Sequence, residues 1–234
     1  MSAMIREIAF DTETTGLDPD KGDRIIELGA VELINHIPTG ETFRMLVNPG
    51  RAVSGDTVRI TGITDEMLAG QPPFEAPIVV DRFLEFVGDA MIIAHNAKFD
   101  RGFLNMELLR CGRPVIEDAR WIDTAAMARK KYPGAPASLD ALCRRFNISL
   151  ESRTLHGALL DSQLLADVYL ELLGGRARAF EFEAQNTGGG ENTRAAARAR
   201  PAPLESRLTS DEAARHRAFI ETLGEEPIWM KHGA

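Results

Sequence analysis

The stretch Ile8–Leu17, "IAFDTETTGL", limits this chain more than any other. An apolar run ends there in two carboxylates one residue apart, followed by hydroxyls and a glycine. In a strand, residues i and i+2 point to the same face. Asp11 and Glu13 then converge on one side, at the end of an otherwise buried strand. Two carboxylates that close repel each other unless positive charge lies between them. A hard divalent cation, Mg²⁺ or Mn²⁺, meets that need with oxygen ligands. The structural alternative is an acidic turn, with Asp11 capping a loop and Glu13 solvated. The rest of the chain must supply the partners that decide between them.

The pattern predicts a buried strand over 5–11 and two more over 24–34 and 41–49, joined by a turn around Pro38-Thr39-Gly40. Helical spacing follows over 73–89, then a short central strand over 90–96. A helix over 97–112 is stopped by Gly112 and Pro114, and a short strand lies at 120–124. Further helices are expected at 123–131, 138–145 and 157–173. Three strands followed by alternating helix and strand imply an α/β fold, a mixed sheet flanked by helices. This first domain is assigned to 1–175.

Beyond Gly174-Gly175 the character changes. Residues 183–203 hold Gly, Ala, Arg and Pro with no apolar face, so 176–203 reads as a flexible linker. The tail, 204–234, becomes structured again. Thr209 and Glu212 form a capping-box pattern. His216, Phe219, Ile220 and Leu223 share one helical face, Gly224 ends the helix, and Ile228, Trp229 and Met230 follow.

With 234 residues, 44% of them hydrophobic, the chain can build one good core and a small appendage. Its apolar runs are too short for a membrane span. Its start lacks a secretory pattern. Cys111 and Cys143 fit no metal spacing and read as reduced thiols, consistent with a cytoplasmic protein. The net charge of −8 excludes a grip on nucleic acid by bulk electrostatics. Nucleic acid would be handled through bound metal, a few local contacts, or a partner that brings it.

Three places can complete the acidic pair. In "IIAHNAKFD" (92–100), Asp100 sits on the first turn of a helix, where the dipole favours a carboxylate. In "TLHGALLDSQLLADVYL" (154–170), His156 precedes Asp161 by five residues. On one helix the two would lie roughly 140° apart, so they converge best with His156 on a loop and Asp161 inside the helix. Thr12, Thr14 and Thr15 add hydroxyls. Each piece has a structural reading too: Asp100 as an N-terminal helix residue, His156 as a loop histidine, His95 as a structural neighbour. Gly188–Gly190 is linker, since no strand precedes it and no Lys-Ser/Thr follows. Asp161 is harder to dismiss, because Leu160, Leu164 and Leu165 imply burial and a buried carboxylate needs a partner. Four carboxylates and an imidazole are what a two-metal phosphodiester hydrolase requires. Two cations about 3.5–4 Å apart clamp the attacking and leaving oxygens, and an imidazole takes the proton from water.

"FDTETTG" (10–16), "HNAKFD" (95–100) and "HGALLDSQLLADVY" (156–169) resemble, in order and spacing, the three motifs of the DEDD exonucleases of the histidine subtype. "SLDALCRRFNI" (138–148), leading into "TLHGALLD", is similar to the epsilon subunits of bacterial DNA polymerase III, the proofreading exonucleases. The resemblance implies a ribonuclease H-like fold. It implies that Asp11, Glu13, Asp100 and Asp161 hold two Mg²⁺ or Mn²⁺ ions, with Asp11 bridging, and that His156 is the general base. Thr14, Thr15 and Leu17 would border the terminal nucleotide, and Asn96 and Phe99 would shape the strand channel. In "DTVRITGIT" (56–64) the family often has a His before the Gly-Ile pair. This chain has Thr61 there, and Asp56 and Thr61 are the candidates for the nucleotide pocket. "FEFEAQNTGGGENT" (180–193) matches the family's clamp-binding segment poorly.

The implied activity is removal of mismatched 3′-terminal nucleotides from DNA. The implied partners are the polymerase alpha subunit, at the tail, and a small accessory subunit on the catalytic domain. An oligoribonuclease or ribonuclease T activity is the nearest alternative, but neither family needs the anchoring tail. A polymerase-binding scaffold with a vestigial exonuclease fold would have lost a metal carboxylate, and none is lost here. A plain α/β binding module that mimics the motifs is the remaining class.

Overall fold

The apolar run before Asp11 forms β1 (Arg6–Thr14), the central strand of a five-stranded mixed sheet. The computed structural model describes residues 4–150, 155–175 and 209–222. The strand order is β3-β2-β1-β4-β5. β2 (Ile25–Ile34) and β3 (Ile37–Leu46) form an antiparallel meander with β1, while β4 (Met91–Ala94) and β5 (Trp121–Asp123) lie parallel to it. α1 (Gly55–Thr61), α2 (Asp65–Leu68) and α3 (Pro77–Val87) precede β4. α4 (Lys98–Arg110) connects β4 to β5, and α5 (Thr124–Lys131), α6 (Leu139–Phe146) and α7 (Ala158–Leu173) follow. The chain divides into two compact units, Met1–Thr187 and Gly188–Ala234.

Alternation along β1 divides the core in two. Ile8 and Phe10 join Val79, Phe83 and Leu104 from α3 and α4 on one face. Ala9 joins Leu142, Leu165 and Val168 from α6 and α7 on the other. Burying this central strand on both faces explains its unbroken apolar run Ile8-Ala9-Phe10. Asp11 and Glu13 continue the Ala9 face, towards α7, and Thr12 continues the Phe10 face, towards α4.

The hairpin differs from the sequence expectation. The turn falls at Asn35-His36, whose φ angles of 50° and 71° supply the left-handed pair that a two-residue hairpin needs. Pro38, Thr39 and Gly40 lie inside β3 instead. β3 is an edge strand, where a missing proline N–H is tolerated. α1 and α2 were not foreseen. α1 fills most of the segment read only as "DTVRITGIT", and α2 follows directly after it; in α1 only Thr57 and Thr61 are buried.

In the second unit, α8 (Ser210–Glu221) opens with the expected capping box. Thr209 Oγ1 accepts from Glu212 N at 3.3 Å, and Glu212 Oε2 accepts from Thr209 N at 2.9 Å. Phe219 is exposed on it. Leu223, Ile228, Trp229 and Met230, and all of 176–203, lie outside the described residues. Among the described residues no helix is long and apolar enough to cross a membrane, and Cys111 and Cys143 are not joined in a disulfide.

Candidate active site

β1 outruns its parallel neighbour. Pairing with β4 ends at Ala9–Ile93, but β1 continues to Thr14. The end of β1 therefore projects beyond the carboxyl end of β4, the side of the sheet on which ligands bind in open α/β folds. The register with β2 shifts after Glu13. An irregularity of this kind re-aims side chains beside many active sites.

Three of the five expected residues meet here directly. Glu13, His156 and Asp161 each offer a ligand atom, and these atoms lie within 4.8 Å of one another. Asp161 is in the first turn of α7, where the helix dipole favours its charge, and is 3% exposed. His156 stands on the loop before the helix, as its spacing required. Its Nδ1 is 3.2 Å from Asp161 Oδ2, with the imidazole half exposed. Asp11 shares the strand face of Glu13 but is outside this close trio.

Asp100 arrives from the other side of the sheet. Its Oδ1 accepts from Thr12 N at 3.1 Å and from Thr12 Oγ1 at 2.8 Å. The carboxylate takes the backbone donor left over where β4 stops. The sequence placed Asp100 with the pair but gave no hint that Thr12 would hold it.

Burial pushes the Asp100 carboxyl from an ordinary 3.8 to about 7, although the Thr12 bonds favour its ionised form. As pH rises, the unfolded chain's carboxyl ionises before the folded one. This group's contribution to stability is therefore present below about pH 4 and lost as pH rises towards 7. Asp100→Asn keeps an oxygen acceptor for Thr12 and removes the buried charge. It is expected to stabilise the metal-free protein at pH 8 by on the order of 2 kcal/mol, about 4–8 °C in Tm, with little gain at pH 4. Thermal melts in EDTA at both pH values check this.

The remaining sequence candidates fall into two groups. Leu17 is exposed beside the strand end. Thr14 Oγ1 donates to Gly16 O at 2.6 Å, and Thr15 Oγ1 donates to Asp23 Oδ1 at 3.2 Å, so both hydroxyls shape the loop after β1. Asn96 is exposed with φ 66°, and its N–H donates to Asp123 Oδ1 at 3.2 Å. Phe99 is half-buried against Phe103. Thr61 is buried, its hydroxyl donating to Thr57 O at 2.9 Å and accepting from Ile63 N at 3.1 Å. Asp56 is exposed and paired with Arg59 at 2.8 Å. The geometry therefore ties Thr61 to the end of α1 and brings neither Thr61 nor Asp56 into the trio. His95 lies within 3.0 Å of Thr124 Oγ1, and burial holds its imidazole below the ordinary range.

α1 contributes what the sequence did not reveal. Thr57 Oγ1 donates to Thr15 O at 3.2 Å, and Ile60 O accepts from His156 N at 3.0 Å. One short helix thus joins the loop after β1 to the histidine loop. The oxygen-rich donor set, with one imidazole, suits a hard divalent cation.

The chain's relatives agree with this fold. A family model described as "Exonuclease" matches residues 8–169. DNA polymerase III subunit epsilon of Rickettsia felis is 42% identical over 224 residues, spanning 94% of this chain and 97% of that protein. Among solved structures, Exonuclease X in complex with 5′-overhanging duplex DNA superposes with a TM-score of 0.55 at 30% identity, covering 73% of this chain and 91% of that one. The nuclease domain of 3′hExo, a DEDDh family member bound to rAMP, shares the fold with a TM-score of 0.62 at 21% identity, covering 74% and 93%. The chain therefore belongs to the exonuclease family, within the branch formed by the epsilon subunits of DNA polymerase III.

Proposed function

We propose that the chain is the proofreading subunit of a DNA polymerase III, removing mismatched 3′-terminal nucleotides as monophosphates. The observation that carries this reading is the close trio of Glu13, His156 and Asp161, drawn from a strand end, a loop and a helix start. Asp11, Glu13, Asp100 and Asp161 would hold two divalent cations, Mg²⁺ or Mn²⁺. When bound, these supply charge neutralisation for the phosphodiester and its leaving oxygen.

The chain's own residues do the rest. His156, on an exposed loop, accepts the proton of the attacking water. Asp161 beside it orients the ring. The Asp100–Thr12 contact holds the end of β1 in place, and α1 fixes the histidine loop. Thr14, Thr15 and Leu17 border the terminal nucleotide, while Asn96 and Phe99 flank the strand. Asp56 and Thr61 remain candidates for the rim of the pocket. A mismatched terminus frays at lower cost than a paired one, so preference for errors needs little recognition by the site itself.

The tail would dock on the polymerase alpha subunit. The exposed Phe219 on a well-capped helix supports this, because an isolated helix of this length is marginal in water and an apolar face favours a groove. Tethering would keep the exonuclease near the primer end at raised effective concentration. The polymerase would also supply the basic DNA surface that a chain of net charge −8 lacks. A small accessory subunit on the catalytic domain and a cytoplasmic location complete the proposal.

The test is a 5′-labelled primer–template with a paired or a mismatched 3′ end, in Mg²⁺ and in EDTA. Stepwise 3′ shortening, faster on the mismatch and absent in EDTA, is expected. His156→Ala should lower kcat by about 10²-fold or more with little change in KM, as loss of a general base does. An intact primer with the wild-type protein, alongside cleavage of short RNA, would overturn the DNA reading.

A further inference from the structure

We propose that Glu27 is a positioning residue that fixes the start of α7, and with it the place of Asp161 and His156 opposite Glu13. The inference rests on the reading of that trio as the hydrolytic centre. Glu27 lies directly across from Glu13 in the β1–β2 register and is 1% exposed. A carboxylate buried that deeply must have its oxygens satisfied.

Both oxygens are engaged. Oε1 accepts from Arg44 Nε at 2.6 Å, and Oε2 accepts from Ala158 N at 2.9 Å. The second bond caps a helix that has no side-chain cap of its own, since Gly157 occupies the N-cap. Glu27 performs that task from a strand 131 residues earlier. Its charge also suits the positive end of the helix.

Gly29, two residues along the same face, shows how close the helix comes. A Cβ built there would lie 2.0 Å from the Ala158 carbonyl carbon, so only glycine admits the helix at this distance. Ser162 Oγ, next to Asp161, lies within donor distance of both Gly29 O (2.9 Å) and Ala158 O (2.8 Å). The first turn of α7 is thus held by β2 at Glu27 and at Gly29. Asp161 lies in that turn, and His156 stands on the loop before it. Although Glu27 faces the same side as Glu13, Arg44 and Ala158 occupy its oxygens, which marks it as a support and not a ligand.

Glu7 provides the control. It lies on β1 and contacts the same helix, but at the other end. Its Oε1 accepts from Tyr169 Oη at 2.7 Å, and its Oε2 is 2.7 Å from His36 Nδ1.

Full-length Glu27→Ala, Glu27→Gln and Glu7→Gln would be compared with wild type by amide exchange without metal, Mn²⁺ calorimetry, melting, and kinetics on mismatched primer. Glu27→Ala is expected to raise exchange over residues 157–162 about tenfold or more and to weaken Mn²⁺ binding. It should lower kcat by about 10–100-fold, the usual cost of losing an outer support, with KM nearly unchanged. Glu27→Gln, which keeps an acceptor for Ala158, should fall between, and it serves if the alanine variant folds poorly. Glu7→Gln should lower Tm but leave exchange at the start of α7, Mn²⁺ affinity and kcat as in wild type. Unchanged exchange there in both Glu27 variants, or equal losses in Glu7→Gln, would overturn the proposal. If exchange rises as expected while wild type neither binds Mn²⁺ nor shortens DNA, Glu27 holds the helix and it is the hydrolytic reading that fails.

Discussion

Asp161→Asn is expected to lower kcat for 3′-terminal nucleotide removal by about 10³-fold or more, leaving KM for DNA within about threefold. The exchange of one oxygen for an amide nitrogen preserves shape but turns one acceptor into a donor and removes a charge from the trio. A bound divalent cation contributes several kcal/mol of stabilisation to the reacting phosphodiester, and about 4 kcal/mol is a factor of 10³ in rate. The same change deprives His156 of the carboxylate at its Nδ1. Because Asp161 is almost fully buried, replacing its charge should not lower the metal-free melting temperature. Single-turnover kinetics at saturating primer, with a thermal melt in EDTA, separate lost chemistry from lost fold. A variant that keeps kcat within tenfold of wild type would remove Asp161 from the catalytic set.

Glu107→Ala is expected to cost about 3–5 kcal/mol of stability, the scale for breaking a buried ion pair from one side. The Glu107 side chain is 1% exposed and receives both Arg24 Nε at 2.6 Å and Arg24 Nη2 at 2.8 Å. It also accepts from Ile25 N at 3.3 Å. Its removal leaves the Arg24 guanidinium without that forked partner and a backbone donor at the start of β2 without its acceptor. The carboxylate also holds the Arg24 guanidinium above its ordinary range. For a domain of this size the loss corresponds to roughly 6–20 °C in Tm. Arg24 closes the loop after β1 through Thr15, whose N–H donates to Arg24 O at 2.9 Å. Loosening this pair therefore disturbs the strand end that carries Asp11 and Glu13. Denaturant melts of Glu107→Ala and Arg24→Ala check the energy. Comparable small losses below 1 kcal/mol would show the pair to be dispensable.

The sheet and its helices were legible because their signals are local. β1, β4 and α7 each carry an apolar pattern; the structure keeps β4 and α7 close to where the pattern put them and extends β1 to Thr14. The hairpin turn was misplaced because Pro38 and Gly40 are strong punctuation on paper, whereas Asn35-His36 reaches the required left-handed geometry without glycine. α1 escaped notice for a different reason. It is seven residues long and buries only two threonines, so no apolar period marks it.

The trio was legible by residue type and spacing, including the need for His156 to stand on a loop. Two features of its support were not. Asp100 binds Thr12 because β4 is shorter than β1, a property of the pairing and not of either segment. Glu27 reads in the sequence as a polar interruption of "RIIELGAVELI". Its meaning appears only when α7 packs on β2 and brings Ala158 to its carboxylate. Long-range capping of that kind leaves no periodic trace. Gly29 carried a weak signal, since a glycine inside an apolar strand marks a close approach by another backbone.

The most direct test of the central claim is anomalous diffraction from crystals of the protein soaked in Mn²⁺ with a nucleoside 5′-monophosphate. Two manganese peaks about 3.5–4 Å apart, bridged by Asp11 with Glu13 and Asp161 among their ligands, are the expected result. The His156 imidazole should lie beside them without coordinating. A site without manganese, or manganese held by other residues while Glu13, His156 and Asp161 stay together, would contradict the assignment of this strand end as the hydrolytic centre.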